Sequence, residues 1–126
     1  MHKAIVVLAG TAALAFSSLP ALAHHGWGGQ QIKTTEISGK VTADVSLAGP
    51  HATMQITDDK GQVWDVTLAP PPRTERAGLK PGVIPMGSPV KIVGNRNSDM
   101  KRYEIKTVRV TYGDKNYDVY PDRVPH

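Results

Sequence analysis

Residues 53–68 read TMQITDDKGQVWDVTL, and this stretch decides the fold. Ala52, Met54 and Ile56 alternate with Thr53, Gln55 and Thr57, the period-two pattern of a strand with one buried face. Asp58-Asp59-Lys60-Gly61 then supplies turn residues, ending in a glycine that accepts positive φ. Beyond the turn, Trp64, Val66 and Leu68 share one face of a second strand running from Val63 to Leu68. Two short alternating runs around a tight turn predict an antiparallel hairpin.

The pattern continues outward in both directions. Upstream, Ile37, Val41, Ala43, Val45 and Leu47 fall on odd positions, and polar residues from Glu36 to Ser46 fill the even ones. That is a further strand, broken by Ala48-Gly49-Pro50. Downstream, APPPRTERAGLKPG (residues 69–82) places Pro72 where a first helical residue belongs and allows about two turns of helix. Gly78 ends that helix and Pro81 prevents its resumption. SPVKIVGNR (88–96) and Tyr103 to Tyr112 are two more strands, joined by the turn-rich NRNSDMK. GDKN then turns into a short extended piece, YDVYPD. Three strands, a short helix and two strands predict an all-β fold, a five-stranded OB-like Greek-key barrel with one short helix between strands 3 and 4. An open β-sandwich or another small barrel is the alternative. Gly39 and Gly94, inside strands one and four, fit the sharp bending that a small barrel needs.

Residues 1–23 do not read as part of that barrel. Met1-His2-Lys3 is a short positive start, AIVVLAGTAALAFSSL is an apolar run, and Ala21-Leu22-Ala23 is a small-x-small cleavage site. This is the pattern of a cleaved Sec-type signal peptide, too short and badly flanked for a membrane span. The expectation is a periplasmic or secreted protein whose mature chain starts at His24. Residues 24–35 are then a flexible His/Gly-rich arm, and residues 36–126 the barrel domain.

Composition narrows the function classes. The 126-residue chain carries a formal net charge of +4 with its lysines and arginines scattered, nearest to a cluster at Arg96, Lys101 and Arg102. Nucleic-acid binding needs a denser basic stripe, so no nucleic-acid partner is expected. There is no cysteine, which removes disulfides, thiolate metal sites and thiol catalysis. Ser38, Ser46, Ser88 and Ser98 sit in no nucleophile motif, and no phosphate-binding or dinucleotide glycine pattern occurs. Asp58-Asp59 reads as turn chemistry, and Glu75 between Arg73 and Arg76 as local ion pairing. The chain is not read as an enzyme.

HHGW after the signal, GPH between the first two strands, GQVWDVTL, RTERAGL, VKIVGNR and YDVYPDR together resemble a family of small exported bacterial proteins, a domain-of-unknown-function family. The strand pattern is more loosely similar to bacterial periplasmic OB-fold proteins. Where the family usually has Asn-Pro-His, this chain has Gly49-Pro50-His51. The resemblance implies export and a small β fold, and it implies no activity, so function must be read from the site.

Four histidines remain in the mature chain: His24, His25, His51 and His126. At a new N-terminus, the α-amine and Nδ1 of His24 can chelate one metal ion, and a further imidazole completes a T-shaped set of three nitrogens. Such a planar nitrogen set favours Cu(II). His51, fixed after Pro50 and expected to be accessible, is the third-ligand candidate, and His25 is the reserve. The bland alternatives are a polar linker for His24-His25, an exposed turn residue for His51 and a loose terminus for His126. Trp27 covers the metal, anchors the arm or simply packs. Met54 falls on the core face, and Met86 and Met100 lack the spacing of a thioether site. The expectation is therefore a small exported Cu(II)-binding protein in copper handling, with a metal ion and a periplasmic protein as candidate partners. The competing class is a cofactor-free periplasmic OB-fold binding or adaptor module for an envelope ligand or protein. Its outer face on strands two and three would show Thr53, Gln55, Thr57, Asp65 and Thr67, polar and without an aromatic platform.

Overall fold

The computed structural model of the protein describes residues 27–125. Six strands, one short helix and a terminal 3-10 turn follow in order: β1 (Thr35–Ser46), β2 (Thr53–Thr57), β3 (Val63–Thr67), α1 (Pro71–Arg76), β4 (Pro89–Arg96), β5 (Glu104–Tyr112), β6 (Lys115–Asp118) and the turn Pro121–Arg123. The hydrogen-bonded order is β3-β2-β1-β4-β5-β6, and a parallel β3–β5 pairing closes β1 to β5 into a five-stranded OB-like barrel. Among the described residues no helix is long and apolar enough to cross a membrane.

Two long strands each serve two neighbours, and this closes the barrel. β1 pairs with β4 over Thr35–Lys40 and with β2 from Lys40 onward. β5 runs against β4 along its length; on its other edge it pairs first with β3 (Glu104–Lys106) and then with β6 (Arg109–Tyr112). The glycines sit where these strands crowd. A Cβ on Gly39 would lie 2.5 Å from the Thr57 carbonyl oxygen, and one on Gly94 only 2.2 Å from that of Lys106. Both positions need the missing side chain for close backbone approach, which is the physical content of the bending expected from the sequence.

The expected inward faces form the core. Met54, Ile56, Trp64, Val66 and Leu68 are buried, and Val41, Val45, Ile92, Ile105 and Val110 join them. Each such aliphatic side chain contributes on the order of 1.5–3 kcal/mol by leaving water. Ala43, expected inward, is only half-buried, because register shifts flank it on β1 and break the alternation there. Asp58 shapes the β2–β3 turn as expected. Its carboxylate accepts the Lys60 and Gln62 N–H groups, each at 2.9 Å, and the Trp64 indole N–H at 3.1 Å.

Three local expectations shift. The helix starts at Pro71, not Pro72, with Pro70 as its N-cap, since both first positions lack an intrahelical acceptor and tolerate proline. It ends at Arg76, with Ala77 as its C-cap, followed by Gly78 at φ +102°. The piece after Tyr112 is a sixth strand starting at Lys115, and Arg109 clamps it to β5 through paired bonds to Asp118 of 2.5 and 3.0 Å. Finally, the arm is held from Trp27 onward. The Gln31 N–H donates to the Arg96 carbonyl (2.8 Å) and the Ser98 N–H to the Gly29 carbonyl (3.0 Å). The Asn95 side-chain amide donates to the carbonyls of Gln31 and Ile32.

Candidate functional site

The sequence-predicted ligands separate into two groups. His24, His25 and His126 lie outside the described residues, as does the expected signal peptide. His51 is described, in the link between β1 and β2. Gly49 at φ +85° turns the chain into it. The following Ala52 fixes it to the barrel: its N–H donates to the Ala69 carbonyl (2.9 Å) and its carbonyl accepts from the Leu68 N–H (2.8 Å). His51 is half-buried rather than freely accessible. Burial first, and the nearby Lys106 ammonium second, hold its imidazole below the ordinary histidine range. The ring is therefore neutral at neutral pH, the form in which a histidine nitrogen can bind a metal.

Lys106 is the residue that the sequence did not single out. It lies on β5, opposite Asn95 of β4 and Thr67 of β3. It is only 7% exposed. Its ammonium sits 5.0 Å from the Trp27 ring centre and 5.9 Å from that of Tyr120. The two rings meet edge to face at 5.1 Å. Burial, and then the Arg123 guanidinium, push the Lys106 ammonium below its ordinary pKa.

Backbone geometry delivers each member of this corner. Trp27 arrives on the arm that Asn95 pins. Tyr120 is set by the Val108 carbonyl, which accepts the Val119 and Tyr120 N–H groups at 3.0 and 3.3 Å. Arg123 comes from the terminal 3-10 turn and stands 4.1 Å from the Trp27 ring centre. Arg73 comes from α1 and stands 5.3 Å from that of Tyr120. Arg73 makes no ion pair with Glu75 among the described residues, so the local pairing expected there is replaced by stacking on a distant ring. The Tyr120 hydroxyl is pushed up by burial, while Arg73 and Arg123 pull it the other way. Segments far apart in the chain thus meet around Lys106: HHGW through Trp27, GPH through His51, RTERAGL through Arg73 and YDVYPDR through Tyr120 and Arg123.

The thioethers do not gather here. Met54 is core, Met86 and Met100 are exposed, and the Met100 sulfur accepts a hydrogen bond from the Gln31 amide at 3.3 Å. Among the described residues, no three histidine or carboxylate side chains are grouped to hold a metal. The outer face of β2 and β3 is polar, as expected, with Gln55 donating to Asp65 at 2.7 Å.

Comparison with models of known protein families and with curated proteins finds no match to this chain.

Proposed function

We propose that the exported, mature chain binds one Cu(II) ion through the α-amine and imidazole of His24, with His51 as third nitrogen and His25 in reserve, and that it serves copper handling in the periplasm. The observation that supports this reading is the seat of Trp27. Three residues past His24, its indole rests on Lys106, the same side chain whose charge acts on His51. An arm held at that point leaves His24 a tether of three residues, roughly 10 Å at full stretch, toward His51. The neutral, half-buried imidazole of His51 adds a ligand in the right protonation state.

The test is Cu(II) titration of protein whose N-terminus is verified at His24, followed by paramagnetic resonance. A three-nitrogen signal that is lost in His51→Ala, and lost again when one residue is added before His24, is the expected result. Undiminished affinity in the extended protein refutes the terminal chelate. A second reading, a binding module without a cofactor, draws on the uncompensated cations around Lys106.

A further inference from the structure

We propose that Lys106, Arg73 and Arg123, walled by the rings of Trp27 and Tyr120, form a binding site for a small oxyanion, with a phosphate group as the preferred ligand. The site lies beside the proposed copper position and does not depend on it.

The first argument is charge accounting. Three cations from three elements, β5, α1 and the terminal turn, converge on one pair of touching rings. Among the described residues no carboxylate joins them. The ion pairs among the described residues are Lys91–Glu36, Arg102–Glu104 and Arg109–Asp118, all elsewhere. None of the three cations donates a side-chain hydrogen bond to any described residue. Lys106 is 7% exposed as a whole residue, and a charge at the tip of so covered a side chain is ordinarily paired or hydrogen-bonded. Like charges side by side repel, and Arg123 already weakens the hold of Lys106 on its proton. An anion turns each of these unfavourable terms into a favourable one.

The second argument is shape. Lys106 stands on β5 between β3 and β4 and brings its point charge against both rings. Arg73 leans on Tyr120 and Arg123 on Trp27, the two rings that Lys106 also meets, and neither guanidinium donates a hydrogen bond to a described residue. Guanidinium groups recognise phosphate through paired, charge-assisted N–H bonds. The half-buried rings place apolar surface beside the three charges and so favour an anion drawn toward them. Two arginines and a lysine suit a dianion better than a monoanion, which is why phosphate is preferred over a carboxylate.

The experiment is calorimetric titration of the mature chain, stripped of metal with a chelator, with inorganic phosphate, a simple phosphomonoester and acetate in parallel. Saturable phosphate binding is expected, weakening by about tenfold in Lys106→Met and severalfold in Arg123→Gln. Arg123 is exposed on a terminal turn, so its variant tests the site without burdening the fold. Comparable binding of the monoester identifies a phosphoryl group on a larger ligand as an acceptable source, and binding of free phosphate alone restricts the site to the ion. Acetate should bind at least about tenfold more weakly. Phosphate binding that survives His51→Ala, while the copper signal is lost, separates the two proposals. No saturable phosphate binding up to about 10 mM, or wild-type affinity in both Lys106→Met and Arg123→Gln, overturns the site.

Discussion

Two cations in this molecule are stacked on pairs of aromatic rings, and they are finished differently. Arg96 of β4 stands 4.8 Å from the Trp64 ring centre and 4.9 Å from that of Tyr103, two rings that meet edge to face at 5.3 Å. Its Nη2 donates to the Met100 carbonyl at 2.7 Å, and Trp64 is itself tied to Asp58. The Arg96 Nε is buried without a hydrogen bond, so the ring faces stand in for an acceptor. Lys106 of β5 has two rings as well, but no carbonyl or carboxylate among the described residues, and two further cations as neighbours. The first arrangement is complete with the atoms the protein supplies. The second has no such acceptor among the described residues, and the proposed anion would supply one. The same local chemistry thus makes a clamp in one place and a receptor in the other.

Both stacks hang on the β4–β5 pair, so the largest effect comes from disturbing it. Gly94→Ala drives a methyl to within 2.2 Å of the Lys106 carbonyl oxygen, backbone that has no room to yield. The expected loss is about 3 kcal/mol or more, with both stacks disordered together. Thermal unfolding, with near-UV circular dichroism as the reporter of aromatic packing, checks this. A variant that melts within a few degrees of the wild type would show that the two strands can part without cost.

Next in size is Arg96→Met, which removes a clamp. Loss of the bond to the Met100 carbonyl and of two ring contacts should cost about 1–2 kcal/mol. For a domain of this size that lowers the melting temperature by roughly 4–8 °C per kcal/mol. Phosphate affinity should not change. Lys106→Met is expected to do the reverse. Methionine fills a similar volume without a charge to bury, so stability holds or rises while phosphate binding falls. If Lys106→Met destabilises as much as Arg96→Met, the two stacks are the same device and the receptor reading fails.

Much of the barrel is legible in the sequence because its signals are local. Met54, Ile56, Trp64, Val66 and Leu68 alternate around a turn that Asp58 and Gly61 define, and Gly39 and Gly94 mark where strands approach closely. β6 is harder to read. Lys115-Asn116-Tyr117-Asp118 has little apolar alternation, and it is held by an ion pair to Arg109 that only the fold creates. The site is legible by halves. His51 and Trp27 stand out by residue type. Lys106, between Ile105 and Thr107, looks like any outward-facing charge on a strand, and what covers it comes from the two ends of the described chain. Arg73 has a nearer apparent partner in Glu75, and nothing local reveals that it turns to Tyr120 instead.

The smallest expected effect separates the two cations by pH. The Lys106 ammonium has its pKa lowered in the fold by burial and by Arg123. Between that lowered value and the ordinary lysine range near 10.5, the unfolded chain holds a proton that the folded chain has released. Stability therefore rises with pH across that window, and below it the folded state carries the full cost of the charge. Lys106→Met has no such group. Its advantage over the wild type should be greatest at neutral pH and should shrink as pH climbs toward 10.5, as read by urea unfolding of both proteins at matched pH. Water still reaches the ammonium, so the slope is small. Arg96 stays charged throughout, and the deficit of Arg96→Met should be flat over the same range. Bound phosphate provides the sharpest form of the test. An anion on Lys106 favours its charged form and raises its pKa, so saturating phosphate should abolish the slope in the wild type and in Arg96→Met, which keeps Lys106, and leave Lys106→Met unmoved. A slope that persists in phosphate would mean that the anion does not sit on Lys106.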